Sequence, residues 1–158
     1  MDYKSLLDNG IFDIQNGKYT DGIEKITKSI ELKNDWEIPY FYRGVAYQAL
    51  EDFDEAILDY TKALQMNDKM TDAYYNRARI LLSRKDIENP DVNRAVADLE
   101  KAIELDDKFL DALYAMACAQ KKLEKYDVAM EYLNKVLELE PNAIHAKALK
   151  KLLENKYL

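Results

Sequence analysis

The chain has a single cysteine, Cys118, and a single histidine, His145. One cysteine builds no internal disulfide framework, and such sparing use fits a reducing compartment. One histidine without cysteine or clustered carboxylate companions cannot assemble a zinc site of the usual kind. Only 4 glycines and 3 prolines punctuate 158 residues. A β-sandwich or an alternating α/β fold uses more turn residues than that, so the scarcity points to helices. No stretch approaches the ~18 consecutive apolar residues of a membrane span, and the opening MDYKSLLDNG carries charge without a signal-type apolar run. A Gly-rich phosphate loop is missing too. Basic residues are outnumbered 23 to 30, a net charge of −7, which repels a nucleic-acid backbone. These absences predict a soluble, cytoplasmic protein with no membrane or nucleic-acid partner and no cofactor or metal.

What is present is apolar material, 48% of residues, arranged in a repeating pattern. The stretch EDFDEAILDYTKALQMND at 51–68 has counterparts in GKYTDGIEKITKSIELKN at 17–34, PDVNRAVADLEKAIELDD at 90–107 and EKYDVAMEYLNKVLELEP at 124–141. A second helical pattern precedes each one: LLDNGIFDIQ, YFYRGVAYQA, YYNRARILLS and LYAMACAQKK. Equivalent positions are 34, 39 and 34 residues apart, which describes a helix–turn–helix unit seen four times.

Small residues recur in the first helix (Gly10, Gly44, Ala78, Ala117) and at the opening of the second (Gly22, Ala56, Ala95, Ala129). A third set follows two turns on: Ser29, Ala63, Ala102 and the larger Val136. Small side chains let two helix axes approach closely, and large neighbours such as Tyr40, Tyr60, Leu99 and Leu133 then interlock around them.

The pattern resembles the tetratricopeptide repeat (TPR), W-x₂-L-G-x₂-Y…A-x₃-F…A…P, best in the second unit through Tyr40, Gly44, Tyr47, Ala56, Tyr60 and Ala63. The closing proline is present only as Pro141; Asn34, Asp68 and Asp107 stand there in the other units. The resemblance implies an all-α fold, a right-handed superhelix of stacked antiparallel helix pairs (an α-solenoid). Its repeats are expected at about 3–36, 37–70, 71–109 and 110–143 of a single domain, 1–158. Residues 144–158 lack the small-residue places and pair an apolar stripe (Ala148, Leu149, Leu152, Leu153) with Lys147, Lys150, Lys151 and Lys156, as a capping helix should.

Acidic residues at 52–59 invite a reading as a metal or acid–base site. A calcium loop needs a glycine at its sharp turn, and DFDEAILDY has none. Asp52 and Asp54 instead suit a helix start, and Glu55 and Asp59 are expected on its solvated face. Cys118 and His145 have no catalytic companions in the sequence, so no enzyme is expected. The five extra residues within 83–92 read as a surface insertion, with Asn89 capping a helix and Pro90 in its first turn.

In the family, a concave groove lined by the first helices receives the ligand. Carried over, the places are Leu7, Ile11 and Ile14; Phe41, Tyr42 and Val45; Tyr75, Asn76 and Arg79; and Tyr114, Cys118, Lys121 and Lys122. A TPR subgroup clamps the acidic C-terminal tails of heat-shock chaperones with Lys and Asn. Here Leu7 and Ile11, or Phe41 and Val45, stand at those places, Asp72 or Asp111 replaces the second Lys, and only Asn76 matches. The resemblance therefore implies a protein–protein interaction module whose groove takes an apolar peptide or helix segment with an acidic end. The alternative is a self-associating structural or assembly-factor protein. Residues 144–158 carry four Lys against one Glu, +3, which leaves −10 on the remainder, so that alternative expects a homo-oligomer joined through the basic end.

Overall fold

The computed structural model describes residues 1–83 and 89–157. Among these there are nine helices and no strand. The chain divides into two compact units, Met1–Ile80 and Leu81–Leu158. The first holds α1 (Tyr3–Gln15), α2 (Tyr19–Leu32), α3 (Glu37–Ala49), α4 (Phe53–Met66) and most of α5 (Thr71–Ser83). The second holds α6 (Asn89–Leu105), α7 (Leu110–Lys122), α8 (Tyr126–Leu139) and α9 (Ile144–Lys156). Within each unit short connections make successive helices antiparallel neighbours, as the repeat pattern predicts. The insertion expected between Ser83 and Asn89 lies outside the described residues.

The small residues set the helix spacing. A Cβ on Gly10 would lie 2.6 Å from Ile26 Cγ1, and one on Gly22 would lie 2.6 Å from Ile14 Cγ1 and 2.9 Å from the Gly10 carbonyl. The two glycines thus face each other across α1 and α2. In the next pair Tyr60, fully buried, lies against Gly44, 3.0 Å from the place of a Cβ. Ser29, also fully buried, donates its hydroxyl to the Tyr3 carbonyl at 2.6 Å. A polar atom in that core place is acceptable only because it is bonded.

The three described turns inside a pair each contain a left-handed residue. Gly17 supplies it at φ 76°, whereas Glu51 (φ 62°) and Glu124 (φ 59°) occupy the corresponding turns with a side chain attached. Asp52 sits at the N-cap of α4 without a side-chain cap bond, and Asp54 and Glu55 occupy the first turn. At the N-terminus Asp2 does cap, accepting from Ser5 N at 2.8 Å.

Asp59 corrects the expectation of a solvated face. It is 5% exposed and accepts two bonds from Arg43, from Nε at 2.7 Å and Nη2 at 2.8 Å. A carboxylate can be buried there because the guanidinium fork matches its geometry and satisfies both oxygens. The bonded carboxylate in turn holds the Arg43 pKa above its ordinary value. Arg43 Nη1 donates to Thr27 Oγ1 of the preceding pair at 3.1 Å. The same rung recurs as Arg77 to Thr61 at 2.8 Å and as Lys150 to Asn134 at 2.8 Å, each reaching sixteen residues back.

Candidate functional site

The first unit brings together most of the expected lining from α3 and α5. Phe41, Tyr42, Val45, Tyr75 and Asn76 are half-buried, and Arg79 is exposed. Phe41 meets Tyr42 edge-on, centroids 5.4 Å apart, and lies 5.9 Å from Tyr60. Tyr60 comes from α4 and links the two first helices. Its hydroxyl donates to Gln48 Oε1 at 2.7 Å, and the Asn76 side chain hydrogen-bonds to the same group. Burial pushes the Tyr60 phenol well above its ordinary pKa, so it stays a neutral donor. The Arg79 guanidinium carbon stands 5.6 Å from the Tyr75 ring centroid, which sets a cation over an aromatic face.

Two of the expected lining residues are core instead. Leu7 and Ile14 are 2% and 7% exposed and form one cluster with Ile26 and Ala46. Ile11, Tyr42 and Val45 pack against that cluster, half-buried. A ligand can touch those three, but Leu7 and Ile14 act only by supporting them.

In the second unit α7 carries Tyr114, Cys118, Lys121 and Lys122. Tyr114 and Cys118 are half-buried and hydrogen-bonded side chain to side chain, and burial pushes both pKa values up. Lys121 is half-buried and Lys122 exposed. Tyr114 also lines a cavity of about 210 Å³ between α7 and the start of α9, together with Leu110, Val136, Ile144, Asp111, Glu140 and His145. The sequence reading passed over the α9 contribution. Its signal was the 34-residue register carried one step further, which sets Ile144 and His145 in the places of Leu110 and Asp111, and Leu152 in that of Cys118. Ile144 and Leu152 are 77% and 44% exposed, so this face of α9 is not polar throughout.

Both patches offer aromatic and aliphatic area beside cationic side chains, an arrangement suited to holding a chain segment. Among the described residues, no cluster of three or more His, Cys, Asp or Glu is placed to hold a metal ion. No described helix is long and apolar enough to cross a membrane.

Comparison with known proteins gives two family matches, the tetratricopeptide repeat at residues 38–70 and the Fis1 C-terminal tetratricopeptide repeat at 110–157. Human tetratricopeptide repeat protein 12 is 31% identical over 70 residues, 44% of this chain, and the match spans only 10% of that relative. A crystal structure of MamA superposes with a TM-score of 0.80 at 25% identity, covering 93% of this chain and 81% of that one. The first TPR of Spaghetti (RPAP3), bound to the HSP90 peptide SRMEEVD, superposes at 0.69 with 24% identity, covering 75% and 90%. This last likeness is one of fold.

Proposed function

Because the chain belongs to the tetratricopeptide-repeat family, we propose that it is a non-catalytic protein–protein interaction scaffold whose first helices bind a peptide or helix segment. The whole chain, 1–158, is read as one cytoplasmic binding domain with repeats at 3–36, 37–70, 71–109 and 110–143. The observation that carries the reading is the half-exposed set Phe41, Tyr42 and Tyr75 with Arg79 beside it, held in place through Tyr60, Gln48 and Asn76. Aromatic rings provide large contact area at low entropic cost, and rings already fixed by neighbours lose little freedom on binding. Arg79 supports an acidic end on the ligand, and Lys121 and Lys122 support the same preference in the second unit.

RPAP3 was captured with an HSP90 peptide, but the residues here favour a different segment. Phe41 and Val45 supply apolar area where that kind of clamp uses Lys and Asn. The test is a titration with two labelled probes: an apolar peptide ending in two glutamates, and SRMEEVD. The apolar probe should bind at least about tenfold tighter, and lose that advantage when Phe41, Tyr75 and Arg79 are replaced together. A preference for SRMEEVD would overturn the reading.

A second reading, self-association through the basic C-terminal helix, is favoured by Ile144, Lys147, Lys151 and Leu152, all exposed on α9. Exposed apolar groups between cations would meet the acidic remainder of another copy. Sedimentation should then show a larger species at low salt that dissociates at high salt; a monomer under both conditions removes this reading.

A further inference from the structure

Three of the four joints between successive pairs follow one rule, and at the α6–α7 joint Met116 stands where the others carry a cation. The second helix of a pair presents an aliphatic group, a hydrogen-bond acceptor four residues on, and another aliphatic group three further: Ile23, Thr27, Ile30; Ile57, Thr61, Leu64; Met130, Asn134, Leu137. The next first helix receives them on a small group, a cation and an apolar group: Pro39, Arg43, Ala46; Ala73, Arg77, Ile80; Ala146, Lys150, Leu153. Every residue at the apolar place is buried, with Ala46 at 0%, Ile80 at 1%, Ala119 at 0% and Leu153 at 0% exposure.

The same register on α1 falls on Ser5, Asn9 and Phe12. Phe12 is 63% exposed and Asn9 is exposed, with Met1 (83% exposed) against the Asn9 amide at 3.5 Å. A capped end looks different. Where α9 would meet a second helix of its own, Lys147 and Lys151 replace the usual large and small apolar groups, and both are exposed. The outer face of α1 keeps the largest apolar side chain found at its place in the series and no charge among its three contact positions.

We propose that the Ser5–Asn9–Phe12 face of α1 docks an amphipathic helix from a partner protein, continuing the joint that recurs along the chain. The partner helix presents an aliphatic residue, then Thr or Asn four positions on, then an aliphatic residue three beyond. Asn9 stands in for Arg43 and Arg77 as donor to that acceptor, and Phe12 fills the space that Ile80 or Leu153 fills elsewhere. A second copy of this chain does not fit the rule, because α8, its last second helix, already has that face covered by α9. The surface lies on other positions of α1 than Ile11 and is independent of the proposed peptide site.

The experiment uses the full chain and a stapled, labelled Lys/Glu helix of fourteen residues carrying only Ile, Thr and Leu at that spacing. Binding should slow amide exchange across Tyr3–Gln15. Phe12→Glu, at a place exposed enough to leave the fold intact by circular dichroism, should weaken binding at least about tenfold. Asn9→Arg, which restores the donor of the later repeats, should strengthen it about threefold. The F41A/Y75A/R79E triple should leave it unchanged. No binding, binding indifferent to Phe12, or a Phe12-dependent self-association in place of peptide binding would each overturn the proposal.

Discussion

Glu51 and Glu124 hold a backbone conformation that costs a side-chain-bearing residue ~1–2 kcal/mol, where the first repeat uses Gly17. Part of any relief is lost to the freer unfolded chain of glycine. Glu51→Gly and Glu124→Gly should each still stabilise by roughly 0.5–1 kcal/mol, read as a higher urea midpoint at unchanged slope. Arg43 makes the opposite case. Arg43→Met strands the Asp59 carboxylate in a buried place and should cost about 3 kcal/mol, most of it recovered by adding Asp59→Leu. Equal cost in the single and double variants would mean that the pair contributes packing only. At Cys118 burial raises the thiol pKa, so less thiolate exists at any given pH. Its reaction with a disulfide reagent at pH 8 should run slower than that of a free thiol and speed up as the pH is raised further. A fast reaction at pH 7 would contradict the burial assigned to it.

The helices and their close contacts were largely legible in the sequence, because periodicity and small-residue spacing are local signals. Gly10, Gly22 and Gly44 announced close approach, and the distances rank them. Gly10→Ala drives a methyl against the Ile26 side chain, which has no room to move, and should cost about 2 kcal/mol despite better helix propensity. Gly44→Ala meets the Tyr60 ring edge at 3.0 Å and the Ala56 carbonyl at 3.4 Å, looser than the 2.6 Å at Gly10, and should cost less, about 1 kcal/mol. Thermal melts of both variants decide; a reversed order would contradict the packing of α1 on α2. Asp59 was misread because its partner sits sixteen residues away on another helix, beyond the reach of any helical spacing rule. Leu7 and Ile14 were misplaced for a related reason. Their positions match the lining pattern, but α3 lays Tyr42 and Val45 over the same cluster, and only three-dimensional packing reveals that.

For the molecule as a whole, the family and the all-helical repeat architecture rest on recurrence along the entire chain, whereas the binding surface rests on particular side chains. Fold alone does not choose a ligand. The proposed seat of binding is the aromatic and cationic set on α3 and α5, supported from α4 by Tyr60. The most direct test is the affinity of an identified partner segment for the intact chain and for F41A/Y75A/R79E, with both shown folded by circular dichroism. The triple variant should bind at least about thirtyfold more weakly, near 2 kcal/mol. An affinity unchanged within about twofold, on that same scale, would contradict it.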